Sequence, residues 1–325
     1  MNAPVGIIGS GAWGTALAYT FSKRIPVILY CHEEKRLPRV RRFFRKKSPQ
    51  TQVTNHINAV FDKCNVLVLA IPFQAISNWF SIHGRVYDLK KHIFINASKG
   101  VSADSLQFFS QIIPEGMTYG VLSGPSFAEE VISNEPTLLV FASLNADLCR
   151  DFQTSLSHEV LRIYVQHDPL GVCVGGALKN VLAIASGVAH GLGLKKNAIS
   201  GLITRGVWEI ASIAKSLGAD PTTIFGLSGL GDILLSCYST KSRNMSFGQL
   251  IGKGIPIQKA LKRIDSTVEG YPTTRAIYQR LKLENVEAPI VEEMFLILYK
   301  QKAPSESIKD LMDRPLKTES FPFKP

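Results

Sequence analysis

Short runs of apolar, largely β-branched residues recur along the first half of the chain, at 5–8, 26–30, 66–71, 93–97, 119–122, 138–142 and 160–165. Runs of this length, bounded by turn residues, read as strands, and helix-like stretches such as 14–22 and 102–112 lie between several of them. That alternation predicts an α/β domain: a largely parallel, doubly wound sheet with helices on its faces. After residue 165 the strand pattern stops. Helical patterns then cover about 169–190, 197–217, 244–253, 272–282, 289–300 and 304–312, so the second domain is expected to be all helical. Asp168-Pro169 offers its first helix an N-cap and a proline at the first helical position, which divides the chain into domains 1–167 and 168–325.

Composition narrows the classes. A length of 325 residues is enough for two cores, and 45% hydrophobic with 19% charged residues excludes a disordered chain. The uncharged stretches 169–178 and 180–194 are interrupted by Lys179, a costly residue at a bilayer centre, so no membrane span is expected. Residues 1–5 carry neither a basic n-region nor an apolar h-region, which points to the cytoplasm. The cysteines at 31, 64, 149, 173 and 237 form no CxxC pair and no metal-ligand spacing; free thiols and no metal are expected. Much of the net charge of +11 sits at 35–47, where Arg36, Arg39, Arg41, Arg42, Arg45 and Lys46 surround Phe43 and Phe44. The ordinary reading is a solvated face; the sharper ones are a phosphate-attracting lip beside a cofactor or a nucleic-acid patch.

Chemistry enters with Gly9-Ser10-Gly11-Ala12-Trp13-Gly14, which follows a strand run and opens a helical one. In that context the glycines let the backbone approach a pyrophosphate at a helix N-terminus, the fingerprint of a Rossmann-type dinucleotide site. Where such a site places its ribose-binding residue the chain reads Cys31-His32-Glu33-Glu34-Lys35-Arg36. Glu33 or Glu34 suits the ribose of NAD, whereas His32, Lys35 or Arg36 suits the 2′-phosphate of NADP, and both cofactors stay open.

Lys179 is the one formally charged residue between Pro169 and Leu194. It either snorkels to the surface or is held inside, where a lysine can exchange a proton with a carbonyl oxygen. Gly226 to Asp232, a glycine-rich turn, delivers a carboxylate, and Ser242-Arg243-Asn244 at a helix start has the donors of a phosphate clamp or the simpler role of an N-cap. Ser98-Lys99-Gly100 and the stretch 123–128 follow strand runs on the side where such sheets bind ligands.

Taken in order, GSGAWGTALA at 9–18, SKG at 98–100, SGPSFAEEV at 123–131, GGALKNVLAIASG at 175–187, GLSGLGD at 226–232, SRN at 242–244 and VEG at 268–270 closely resemble the bacterial NAD(P)-dependent glycerol-3-phosphate dehydrogenases. The resemblance runs from about residue 5 to 312. It implies a Rossmann-type domain followed by a helical substrate domain, and hydride transfer between NAD(P)H and dihydroxyacetone phosphate giving sn-glycerol 3-phosphate for glycerophospholipid synthesis. By the same resemblance Lys179 is the proton donor and acceptor. Lys99, Gly124, Ser126, Asp232, Ser242, Arg243 and Asn244 match substrate positions, and Trp13, Lys99, Ala128, Arg243, Thr267 and Glu269 match positions lining the cofactor. It implies no nucleic acid and no stable membrane insertion; a homodimer is among the assemblies it leaves open. Departures gather near the adenosine end: Ala12 for a frequent Ser, Cys31-His32 for more basic residues, Thr267 for a common Val, and the unusually basic stretch 36–50.

Overall fold

The computed structural model describes residues 3–84, 87, 88, 90–264, 267–316, 318 and 319. The chain forms two compact units, one comprising the chain through Ser98 together with Phe109–Pro169, the other Lys99–Phe108 together with the chain from Leu170.

The first unit is built on one sheet of eight strands: β1 Val5–Ile8, β2 Val27–Tyr30, β3 Thr51–Thr54, β4 Val66–Leu69, β5 Ile93–Asn96, β6 Tyr119–Ser123, β7 Thr137–Ala142 and β8 Leu161–Gln166. Their order is β3-β2-β1-β4-β5-β6-β7-β8, parallel throughout except for the β6–β7 pair. Helices α1 Ala12–Phe21, α2 Leu37–Lys47, α3 Ile57–Lys63, α4 Ile76–His83, α5 Phe109–Ile112, α6 Ala128–Ile132 and α7 Ala146–Leu156 accompany it. Every residue of β1, β2 and β4 is buried, as the short apolar runs require of strands covered on both faces. Ile8 pairs with both Tyr30 and Leu69, so these three strands end level and the loops after them leave from one edge. The expected α/β class is what the chain adopts.

Three local features go beyond the expectations or correct them. The strand β3, sequence TQVT, was not foreseen: it has a single strongly apolar residue, and its place at the sheet edge comes from backbone pairing with β2. The basic stretch is a helix, α2, whose Val40 and Phe44 are buried in the core while its cations face out. The stretch 102–112 is not one helix. Only Phe109–Ile112 is helical, because Leu106 adopts a left-handed backbone (φ 57°) and Val101 and Phe108 turn inward to full burial.

The second unit is helical: α8 Pro169–Gly191, α9 Lys196–Ser216, α10 Asp232–Tyr238, α11 Arg243–Gly252, α12 Ile257–Arg263, α13 Gly270–Leu283, α14 Pro289–Lys300 and α15 Pro304–Met312. Helices α10 and α12 were not anticipated. Among the described residues α8 is the one helix long and apolar enough to cross a membrane, yet 94% of its most apolar window is buried inside the fold. Its Gly187 and Gly191 meet Gly248 and Gly252 of α11 so closely that a Cβ on any of the four would lie 2.1–2.4 Å from a backbone carbonyl oxygen of the other helix. Glycine here sets the distance between two helices, and α8 is the spine of this unit.

Candidate active site

The glycine loop is shaped by two conflicts and one opening. Gly9 has φ 113°, and a Cβ there would lie 2.5 Å from the Ala70 carbonyl oxygen; a Cβ on Gly14 would lie 1.9 Å from that of Gly9. Both positions demand glycine for internal reasons. At Gly11 a Cβ would meet nothing within 4 Å, so the chain leaves open space beside the N-cap of α1, which has no side-chain cap. A helix N-terminus with uncapped N–H groups and free space beside it fits a dinucleotide pyrophosphate. Trp13 is anchored by its indole N–H to the Ala97 carbonyl at 3.0 Å, and the hydroxyl of Ser10 donates to Cys31 Sγ at 3.1 Å, tying the loop to the end of β2.

Beyond Cys31 the backbone turns into exposed His32, whose Nδ1 lies 3.2 Å from the Tyr30 hydroxyl. Glu33, one of the two acidic candidates, pairs with Arg36 at 3.2 Å. At the end of β6, Gly124 takes φ 137° with a Cβ position 2.9 Å from the Leu138 carbonyl oxygen, and Ser126 donates its hydroxyl to the Gly124 carbonyl at 3.1 Å. Ala128 then opens α6 and offers only its backbone and a methyl group.

In the second unit three of the expected residues come together. The Asp232 carboxylate, 2% exposed, takes the Lys99 ammonium on Oδ2 and the Lys179 ammonium on Oδ1, the latter at 3.1 Å. Lys179 also donates to Ser236 Oγ at 2.8 Å, and Ser236 reaches Asp232 Oδ1 at 3.4 Å. Lys179 is therefore held inside, 13% exposed, and does not snorkel. Burial by itself would raise the Asp232 carboxyl, but Lys179 and Lys99 outweigh it and hold it below the ordinary carboxylate range. Burial brings the Lys99 ammonium below its usual value, with Asp232 opposing and Lys179 reinforcing the shift.

The turn that delivers Asp232 is a single π-helical turn over Leu227–Gly231, continuous with α10. It packs against Gly175 of α8, where a Cβ would lie 3.0 Å from the Ser228 carbonyl oxygen. Ser236 was missed in the sequence. Its signal was the spacing of four from Asp232, which puts both side chains on one face of α10 once that segment is known to be helical.

The remaining group lies at the start of α11. Ser242 is its N-cap, accepting from the Met245 N–H at 3.4 Å, and Arg243 is exposed with a 3.5 Å contact to the Thr267 carbonyl. Asn244 is committed to the fold: its amide donates to Asn180 Oδ1 at 2.8 Å and accepts from the Gly270 N–H at 3.0 Å, joining α11 to α8 and α13. Glu269 precedes Gly270 as the N-cap residue of α13.

Comparison with known proteins agrees across the chain. Residues 4–149 match the model for the NAD-dependent glycerol-3-phosphate dehydrogenase N-terminus, and 168–309 the model for the C-terminus of the same family. A glycerol-3-phosphate dehydrogenase [NAD(P)+] of Thermoanaerobacter sp. is 35% identical over 97% of this chain and 98% of its own length. One from Francisella tularensis subsp. novicida is 38% identical over 98% of this chain and all of its own. The crystal structure of glycerol-3-phosphate dehydrogenase from Coxiella burnetii superposes with a TM-score of 0.90 at 28% identity, covering 96% of this chain and 99% of that one. With both halves matched in order and a full-length relative above a third identical, the chain belongs to the NAD-dependent glycerol-3-phosphate dehydrogenase family.

Proposed function

We propose that this protein interconverts dihydroxyacetone phosphate and sn-glycerol 3-phosphate with NAD(P)H as hydride donor. The observation that carries the reading is one buried carboxylate, Asp232, shared by two lysines from distant parts of the chain. Reducing a ketone requires a hydride on carbon and a proton on oxygen. The nicotinamide, when bound, supplies the hydride; the residues assigned by motif to hold the dinucleotide are the glycine loop at 9–14 with Trp13, His32, Lys99, Ala128, Arg243, Thr267 and Glu269.

Lys179 is the proton donor. Two of its three N–H groups are spent on Asp232 and Ser236, which leaves the third for the ketone oxygen and fixes the direction in which it points. Asp232, held in its ionised form, is a positioning residue and not a second base. Lys99 adds a second positive charge in a site largely closed to water, where charge developing on the substrate oxygen is stabilised far better than in solution. Arg243 with Ser242 at the N-terminus of α11 is assigned to the substrate phosphate, and Gly124 and Ser126 are assigned to the substrate by their motif. Asn244 is likewise assigned to the substrate, and its amide also fixes Asn180, the neighbour of Lys179.

The test is absorbance at 340 nm, the band of reduced nicotinamide, with dihydroxyacetone phosphate and either NADH or NADPH. Substrate-dependent oxidation is expected, falling by about a hundredfold or more in Lys179→Ala. Folded, cofactor-binding protein that turns over with neither cofactor overturns the reading.

A further inference from the structure

The proposed chemistry assigns no role to helix α2, which carries an unusual charge. Its eleven residues include Arg39, Arg41, Arg42, Arg45, Lys46 and Lys47, all exposed, and no acidic residue. Among the described residues no ion pair holds any of the six. Arg39, Arg42 and Lys46 recur at helical spacing, as do Arg41 and Arg45, so cations stand three and four apart and repel one another. The helix macrodipole favours only the last turn, Arg45 to Lys47. The opposite face is locked: Val40 and Phe44 are buried, and Leu37 and Phe43 pack against the same core.

The positive face extends past α2. Ser48, its C-cap, lies 2.6 Å from Ser22 through their hydroxyls, and Gln50 donates to the Ser22 carbonyl at 2.8 Å. That contact sets exposed Lys23 and Arg24 beside the end of α2. The result is a rigid row about 16 Å long of outward cations, with no counter-charge of its own.

From this surface we infer that α2 is a peripheral docking site for an anionic phospholipid bilayer. Binding of single-stranded nucleic acid relies on aromatic stacking as well as charge, and the aromatics of α2 are turned away: Phe44 is 1% exposed and Phe43 packs edge-on against Tyr19 at 6.3 Å. A plane of lipid phosphates needs neither stacking nor a groove, and Arg39, Arg42, Arg45 and Lys46, which fall within about 120° of one another on the side away from Val40 and Phe44, can meet it together. The apolar face is already buried in the fold, so attachment is electrostatic and reversible, without insertion. The choice of lipid as partner rests also on the proposed function, because glycerol 3-phosphate is the headgroup-bearing backbone of glycerophospholipids and is acylated into a membrane product.

The experiment is cosedimentation of the full chain with phosphatidylcholine vesicles, with and without about 30% phosphatidylglycerol, at about 50 and 500 mM salt. Binding is expected only to the anionic vesicles and only at low salt. Each cation is worth about fivefold in partitioning, so Arg39→Gln, Arg42→Gln, Arg45→Gln and Lys46→Gln together should lower it by about a hundredfold or more. Turnover should be unchanged and the melting temperature no lower in that variant, since none of the four side chains is in the core or the assigned site and their removal relieves like-charge repulsion. Absence of binding at low salt, binding equal in the variant, or displacement from vesicles by single-stranded RNA at equal phosphate concentration would each overturn the inference. Cosedimentation is read without substrate, so an inactive protein that still binds anionic vesicles would separate failure of the enzymatic reading from failure of this one.

Discussion

Three glycines of one motif carry different loads. Gly14 cannot take a side chain without displacing the backbone of Gly9, whereas Gly11 has open space around its missing Cβ and a backbone conformation (φ −66°) open to any residue. Gly11→Ala should therefore leave the melting temperature of the free protein within a degree or two, roughly the ±0.5 kcal/mol of a neutral surface change, while reducing the thermal shift produced by NADH or NADPH. An unchanged cofactor shift would show that the dinucleotide does not approach this loop. At the second residue of consequence, Asp232→Asn removes the charge shared by Lys99 and Lys179. A loss of about a hundredfold in kcat is expected, with the alkaline limb of the pH profile moved to lower pH because Asp232 supports the charged form of Lys99. Full activity in that variant would remove Asp232 from the mechanism. Lys179 was legible in the sequence as a lone charge on an apolar helix; Asn244 was legible by its motif as a substrate position, and that its amide is also a strut between helices is a fact carried only by its neighbours.

At the level of elements, the helical unit contains a buried cap. Glu209 of α9 accepts the Ile290 N–H at 2.8 Å and the Val291 N–H at 2.9 Å, satisfying two of the open donors at the start of α14. Burial pushes its carboxyl up to about 7, although both backbone donors, Arg314 and Arg205 pull the other way. With a folded value above the ordinary 4.5, its contribution to stability is fully present below pH 4.5 and lost as pH rises through about 7. The melting temperature should fall across that window by the equivalent of about 3 kcal/mol, and Glu209→Gln should flatten the profile. Equal slopes in the two proteins would exclude Glu209 as the source. Elements whose apolar periodicity was strong were readable within a residue or two; β3 and the irregular stretch 101–108 were not. The first forms because β2 offers an edge, and the second because two side chains are drawn inward, both decisions made outside the segment itself.

The path of the whole chain puts residues 99–108, which continue from β5, among the helices of the second unit. Arg280 donates to the Leu106 carbonyl at 3.0 Å and lies over the Phe108 ring at 5.8 Å, while Val101 and Phe108 are fully buried. A fragment spanning 170–325 therefore lacks part of its own core as well as Lys99. It should expose apolar surface, aggregate or melt without cooperativity, and a synthetic 99–108 peptide added in excess should raise its melting temperature. A fragment that unfolds cooperatively without the peptide would show the segment to be dispensable.

Periodicity and motif spacing, both local along the chain, determined the parallel α/β sheet, the helical second half and the glycine loop at the end of β1. The sequence also singled out Lys179 as a charge where none belongs. Only the tertiary structure decided that Lys99 and Asp232, 133 residues apart, meet, that Ser236 joins them, and that 99–108 changes units. The reason is physical: a strand or helix is specified by the repeat of its own side chains, whereas the pairing of buried charges depends on which groups share a region of low dielectric, a property that exists only after distant segments have packed.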